Sequence, residues 1–202
     1  MPGFSTGRAS TATHLVTKRA LFRWVGGAGL GALGVGCAGA DGAVSSANSL
    51  GLPPWQGDDR RLFGDELDPA SLGLMASGSP RKDQALWLRA QKAELVARVQ
   101  IRTFTVESTR GGTYRLGLLV VQPLAESALQ DPKIDVSVDP GDPAYGLVKA
   151  QDRLIKERPY IGFFKRFAGA DDEIVFHFYL TADSAEVAQV VQEALALKEV
   201  NR

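Results

Sequence analysis

From Asp83 onward, apolar and polar residues recur with the periods of regular secondary structure. Asp83 precedes a run of apolar residues at helical spacing, which predicts a helix that Asp83 caps and that ends near Glu94. The apolar positions of this helix are Leu86, Trp87, Ala90 and Ala93.

Five segments with the alternation or composition of β-strands come next. They are Leu95 to Glu107, Tyr114 to Gln122, Ile134 to Val138, Tyr160 to Phe167 and Glu173 to Leu180. In the first segment the apolar phase changes after Ile101, and Phe104 and Val106 continue the apolar face. We therefore expect a bulge or bend near Thr103.

Two further helices are predicted between and after these strands. Residues Ala144 to Arg158 place apolar side chains on one helical face, and Pro159 ends the pattern. The sequence Asp183-Ser-Ala-Glu186 is typical of a helix start, with the aspartate or the serine as cap, and an amphipathic pattern follows it through Leu197.

The order strand, strand, strand, helix, strand, strand resembles the OB-fold, a small five-stranded barrel with a helix after its third strand. The resemblance is one of topology and spans about residues 95 to 180. It predicts an α+β fold, a small five-stranded antiparallel barrel or OB-like meander with an inserted helix and a C-terminal helix. The alternative is another α+β arrangement, in which a meander packs on two or three helices.

The stretch GLGALG, Gly29 to Gly34, matches the dinucleotide-binding fingerprint G-x-G-x-x-G. A working fingerprint follows a strand and opens a helix. The residues before Gly29 do not alternate as a strand would, and those after Gly34 are too rich in glycine to continue as a helix. We therefore expect no nicotinamide site here and no cofactor.

A secretory signal peptide explains the same segment. Residues 1–36 hold four cations and no acidic residue, and they end in an uncharged run from Trp24 to Gly36. This run is shorter than the roughly 20 apolar residues that a transmembrane helix needs. We therefore expect the segment to direct export and then to be removed.

Cys37, the only cysteine of the chain, follows this run in the sequence Leu33-Gly-Val-Gly-Cys37-Ala. The sequence resembles the lipobox of bacterial lipoprotein precursors, although the family prefers leucine three residues before the cysteine, where this chain has Gly34. The resemblance implies acylation of Cys37, which becomes the new N-terminus and anchors the chain in a membrane. Because Ala38 rather than aspartate follows Cys37, the resemblance also implies that the protein is located at the outer membrane, at its periplasmic face or at the cell surface. The alternative is cleavage after Ala40, which releases a soluble protein.

The remaining chain divides at about residue 82. Residues 37–81 are rich in small and polar residues, and we expect a flexible tether as far as about Leu52. The stretch from Trp55 to Met75 is expected to lie along the domain surface, pinned by Trp55, Phe63 and Leu67. Residues 82–202 are expected to form one compact α+β domain.

Removal of residues 1–36 takes away four of the 23 cations and none of the 23 anions, which leaves a formal charge of −4. This balance argues against nucleic acid as a partner, because nucleic-acid binding depends on neutralising phosphates. No cysteine follows Cys37, so the mature domain has no disulfide within it and no site with several thiolate ligands. No nucleophile elbow, zinc-protease motif or P-loop occurs after residue 36.

Few residues are candidates for chemistry. His177 is the only histidine after residue 36, and it lies on the same strand face as Tyr179. A lone strand histidine is more often structural than catalytic, so we predict no catalytic residue. The aspartates 135, 139 and 142 lack the register of a calcium loop, and no metal site is predicted.

The favoured hypothesis is a non-enzymatic binding or structural module of the bacterial cell envelope, held to the membrane by a lipid on Cys37. Its partner is expected to be another envelope protein or a glycan. The exposed strand face near Arg98, Arg102 and Arg115 is the expected contact surface, with His177 and Tyr179 as further binding candidates. The alternatives are an envelope hydrolase or metal-dependent enzyme that uses His177, and a secreted soluble binding or inhibitor domain.

Overall fold

The computed structural model describes residues 51–76, 78–108, 112–125, 131–170 and 173–200. The predicted signal peptide, Cys37 and the tether up to residue 50 lie outside the described residues.

The described part contains five α-helices, two short 3-10 helices and six strands. The α-helices are α1 (Gly57–Leu62), α2 (Gln84–Lys92), α3 (Tyr145–Ala150), α4 (Asp152–Glu157) and α5 (Ala185–Val200). The strands are β1 (Glu66–Leu67), β2 (Leu95–Glu107), β3 (Thr113–Pro123), β4 (Lys133–Val138), β5 (Pro159–Ala168) and β6 (Ile174–Ala182). The 3-10 helices span Pro69–Leu72 and Pro80–Lys82.

The described strands form a single sheet in the order β1-β6-β5-β2-β3-β4. Neighbouring strands are antiparallel except β1 and β6, which run parallel. The expected α+β class is confirmed, but the five-stranded antiparallel OB-like barrel is wrong in strand number, in strand direction and in closure. The physical reason lies at β6: one of its edges pairs with β5 and the other with β1, so β6 has no edge left to close a barrel against β4.

The sheet is covered by helices on both faces. On one face, α3 and α4 bury Val148 and Ile155 against side chains of all six strands, and we call this the α3/α4 core. On the other face, α1, α2 and α5 bury a second set of apolar residues, which we call the α2/α5 core. The sheet's own contribution to the α2/α5 core is Val96, Ile161, Phe163, Phe167 and Tyr179.

The segment before α2 contributes buried residues to both cores, whereas the sequence predicted that it would lie along the domain surface. Leu62 and Phe63 are buried in the α2/α5 core, whereas Leu67 and Leu72 are buried in the α3/α4 core. The segment reaches both cores because β1 joins the sheet as its edge strand beside β6.

Local signals from the sequence agree with the structure at several points. The carboxylate of Asp83 accepts hydrogen bonds from the backbone N–H groups of Ala85 and Leu86 at 2.9 and 3.1 Å, as the predicted helix cap requires. The predicted bulge in β2 is confirmed by a register shift against β3 between Ile101 and Thr103.

One helix differs from its prediction, and at another the structure selects between the two predicted caps. The helix expected over 144–158 is two helices, because Gln151 takes φ −130° and ψ 31° between α3 and α4. At the start of α5, the hydroxyl of Ser184 accepts the hydrogen bond from the backbone of Val187 at 3.2 Å. The carboxylate of Asp183 bonds instead with Arg98 at 3.1 Å.

Candidate functional site

The described part of the chain has a buried histidine–carboxylate pair. His177 lies on the β6 face that looks toward α1, and Asp65 occupies the short link between α1 and β1. Nδ1 of His177 lies 2.6 Å from Oδ2 of Asp65. The other carboxylate oxygen accepts a hydrogen bond from the backbone N–H of Phe178 at 3.2 Å. Asp65 is thus fixed between a side chain and the main chain of the same strand.

Aromatic rings enclose the imidazole of His177. The ring of Trp55 stacks on it with a centroid distance of 3.7 Å and an interplanar angle of 7°. The ring of Phe167 lies at a steep angle to the imidazole, with a centroid distance of 5.5 Å. The indole N–H of Trp55 donates to the carbonyl of Phe63 at 2.8 Å, which fixes the covering ring. The side chain of His177 is therefore only 13% exposed.

Asp65 is buried, whereas the nearby Asp142 is half-buried and Arg60 is exposed. Burial raises the pKa of Asp65 to about 6, although its hydrogen bond and charge interaction with His177 oppose the rise. Burial also raises the pKa of Asp142, whose charge adds to the rise at Asp65. Arg60 opposes the shift at Asp142, and its guanidinium lies 4.9 Å from the centre of the Trp55 ring.

The pair contains two of the three parts of a hydrolytic triad, an imidazole and the carboxylate that orients it. Within the described residues, no serine, threonine or cysteine side chain hydrogen-bonds to Nε2 of His177. A nucleophile must lie within hydrogen-bond reach of its base. This geometry fits a structural clamp that holds Trp55 and the α1–β1 link onto β6.

The aspartates considered for calcium serve a turn. The backbone N–H of Asp139 donates to a carboxylate oxygen of Asp142 at 2.6 Å, and the N–H of Asp142 donates to the carbonyl of Asp139 at 2.9 Å. Thr113 donates its hydroxyl to Asp139, while Asp135 lies exposed on β4. The described residues contain no group of three or more His, Cys, Asp or Glu side chains placed to hold a metal ion.

The three arginines expected at a contact surface do not converge. Arg98 lies opposite Gln122, whereas Arg115 lies opposite Thr105, seven positions further along β2. At a strand rise of ~3.3 Å per residue this separates Arg98 from Arg115 by about 23 Å. Arg98 is bonded to Asp183 and to Gln122, Arg115 pairs with Glu107, and Arg102 is exposed. The arginines therefore do not form one compact basic patch.

Tyr179, the remaining candidate, lies in the wall of a large open cavity. The cavity has a volume of about 1130 Å³ and lies where the ends of β1 and β6 meet the starts of α2 and α5. Tyr179 is 8% exposed, and the guanidinium of Arg89 packs on its ring at 3.5 Å. Burial raises the pKa of its hydroxyl further above the ordinary value, and the nearby acids Asp68 and Glu66 add to the rise, so the hydroxyl stays neutral.

Sequence reasoning missed both Asp65 and the acidic wall of the cavity. Asp65 is the only non-glycine residue with positive φ in the described part of the chain, at 52°, but nothing in the letters DEL marks it as a partner of a histidine 112 positions away. The carboxylates at the cavity come from three separate stretches of the chain: Glu66 with Asp68, Asp83, and Glu186. No local spacing in the sequence predicts that these four carboxylates come together.

The chain matches no protein-family model and none of the curated proteins. None of the helices within the described ranges has the length and apolar character to span a membrane.

Proposed function

We propose that the chain is an exported lipoprotein that acts as a non-enzymatic binding or structural module of the bacterial cell envelope. The observation that carries this proposal is the position of Cys37, the only cysteine, directly after an uncharged run that four cations precede. Each buried methylene of an acyl chain contributes about 0.8 kcal/mol, and more than one chain is needed for stable anchoring. The proposed anchor is therefore the several acyl chains of a bacterial lipoprotein.

The folded part supports the binding role. Helices cover both faces of the sheet, and a large open cavity lies beside Tyr179. Clefts of this kind are where proteins usually bind ligands. The proposed partner is another envelope protein or a glycan, and the proposed location is the outer membrane, at its periplasmic face or at the cell surface.

Replacing the sulfur tests the anchor directly. When the full chain is produced in a bacterium, we expect it in the membrane fraction, with an intact mass that corresponds to acylated Cys37 and loss of residues 1–36. The Cys37→Ser variant is expected to lose the lipid mass and to leave the membrane fraction. Ala38→Ser, which changes the neighbouring residue and keeps the thiol, is the matched control.

Two outcomes contradict the anchor. A mature protein that begins at Asp41 without lipid supports the secreted, soluble alternative. A Cys37→Ser variant that remains in the membrane fraction shows that something other than the lipid holds the chain there.

A second candidate function, a hydrolase that uses His177, has the 2.6 Å contact between His177 and Asp65 in its favour. Its test is turnover of p-nitrophenyl acetate and p-nitrophenyl phosphate by the purified chain. Our proposal predicts no turnover above background. Turnover that His177→Ala abolishes, while the exposed-site control Arg102→Ala retains it, establishes the enzyme instead.

A further inference from the structure

The cavity beside Tyr179 has the size of a binding site for an organic molecule. Ligand pockets in proteins have volumes of ~300–1,000 Å³. The volume here, about 1130 Å³, lies just above that range and suits a small organic ligand or a few residues of a peptide.

The wall of the cavity carries an excess of negative charge. The ionisable lining residues other than Tyr179 are the acids Glu66, Asp68, Asp83 and Glu186 and the cation Lys82. Carboxylates at a partly enclosed surface attract cations and repel anions.

Two of these carboxylates already have partners within the protein. Asp68 accepts hydrogen bonds from the backbone of Ala70 at 2.9 Å and from the hydroxyl of Thr181 at 3.0 Å. Asp83 caps α2. The side chains of Glu66 and Glu186, in contrast, have no hydrogen bond or ion pair with any described residue. These two glutamates are the carboxylates that remain for a ligand.

Tyr179 is a second, independent indication of a ligand. Its side chain lines the cavity and is 8% exposed, and its hydroxyl has no hydrogen-bond partner among the described residues. The only described side-chain N or O atom that is both fully buried and unpaired is Oδ1 of Asp59, so the unpaired hydroxyl of Tyr179 opens onto the cavity, where a ligand can reach it. The largest charge effect on this hydroxyl is that of Arg89, whose guanidinium packs on the ring, and the next are those of Asp68, Glu66 and Asp83, which all line the cavity.

We propose that this cavity binds an organic cation, whose ammonium or guanidinium group pairs with Glu66 and Glu186. The hydroxyl of Tyr179 accepts a hydrogen bond from the same group. Leu86 and Val187 also line the cavity, and the apolar part of the cation packs against them. The inference rests on the binding role proposed above and does not depend on the lipid anchor.

The same chemistry is present in a free alkylamine and in a lysine or arginine side chain of a partner protein. Calorimetric titration of the full chain with hexylamine tests the first source. Titration with the peptide acetyl-Lys-Leu-Lys-amide tests the second. Hexanol, and the peptide with norleucine in place of both lysines, are the uncharged controls.

We expect saturable binding of at least one of the cations, and at least about tenfold weaker binding of its uncharged control. Glu66→Gln and Glu186→Gln are each expected to weaken binding about fivefold, as the loss of one partly exposed ion pair does. Tyr179→Phe, which removes only the hydroxyl, is expected to weaken it about threefold or more. Glu199→Gln makes the same charge change on α5 outside the cavity and is expected to leave affinity unchanged.

Three results overturn the inference: absence of binding by both cations, equal binding of the uncharged controls, or affinities that the cavity variants do not change. If amine binding fails while Cys37 is found acylated, the inference is wrong and the lipoprotein proposal stands. If amines bind while Cys37 is unmodified, the cavity inference stands and the lipoprotein proposal is wrong. The folding of each variant is checked by its thermal melting curve, which separates a lost contact from a lost fold.

Discussion

The carboxylate of Asp65 and the imidazole of His177, 112 positions apart in the chain, are hydrogen-bonded at 2.6 Å beneath the ring of Trp55. This contact joins the first described segment of the protein to the last strand of its sheet. It also places a buried carboxylate where its ionisation opposes folding.

The stability of the protein is expected to depend on the charge of Asp65. Its pKa is raised by burial from 3.8 to about 6, so between these values the folded state holds a proton that the unfolded chain has released. The contribution of Asp65 to the free energy of unfolding therefore falls as the pH rises through this window. Asp65→Asn removes the titration, and the asparagine tolerates the positive φ of 52°.

Urea unfolding at about pH 4 and pH 7 measures this effect. The free energy of unfolding of Asp65→Asn minus that of the natural protein is expected to be larger at pH 7 than at pH 4, so the variant gains stability relative to the natural protein as the pH rises. Asp152→Asn, at an exposed position of α4, is the control and should show no such trend. If the free energies of unfolding of the natural protein and of Asp65→Asn change with pH in parallel, the raised pKa of Asp65 is contradicted.

Trp55 is expected to stabilise the fold by covering His177. Trp55→Ala removes both the stacking at 3.7 Å and the indole hydrogen bond to Phe63, and we expect it to lower the free energy of unfolding by about 2–4 kcal/mol, as for other large aromatic truncations. Trp55→Phe keeps a ring over the imidazole but loses the N–H donor, so its loss should be clearly smaller. Chemical denaturation of the three proteins measures the difference. Equal losses for the two variants would show that the stacking contributes little.

Phe63 tests whether the segment before α2 is an integral part of the fold. Its side chain is fully buried in the α2/α5 core, so Phe63→Ala is expected to cost about 3–5 kcal/mol in the free energy of unfolding. Leu74→Ala, in the same segment but 49% exposed, should stay within about 0.5 kcal/mol of the natural protein. A small effect at both positions, measured by thermal and urea unfolding, would contradict the structural role of the segment.

Gly162 in β5 is expected to tolerate no side chain. A Cβ atom there would approach the ring of Phe164 to 2.5 Å and a methyl group of Leu180 to 3.0 Å, and both side chains are fully buried. Gly162→Ala should therefore destabilise the protein by about 1–3 kcal/mol. In α3, a Cβ at Gly146 meets nothing within 4 Å, so Gly146→Ala should stabilise it by about 0.5–1 kcal/mol. Equal melting temperatures for the two variants would refute this contrast.

Periodicity predicted the elements of the second half of the chain well because each carries its own signal. The cap at Asp83 and the phase change after Ile101 are local patterns, and both correspond to observed geometry. The number of strands and the openness of the sheet could not be predicted in this way. They depend on β1, which has only two residues and forms because β6 offers it an edge.

The candidate sites were predictable only in part. His177 is a candidate because it is the only histidine after residue 36, and Tyr179 because it shares the strand face of His177, but the sequence does not show what surrounds them. Trp55 encloses His177, while Glu66 stands beside Tyr179 in the parallel register of β1 and β6. Both neighbours come from a stretch whose composition predicted a partly docked tether, since long-range contacts leave no periodic trace.

The pairing of β1 with β6 also determines the order in which the protein can fold during its synthesis. Asp65 and Phe178 are 113 positions apart, and ribosomes add ~5–20 residues each second, so the first segment waits roughly 5–25 s for its partner strand. Until β2 and β5 have also been made, Leu62 and Phe63 lack the strand residues against which they pack. A nascent chain of this kind presents its apolar beginning to chaperones before any of its last strand exists.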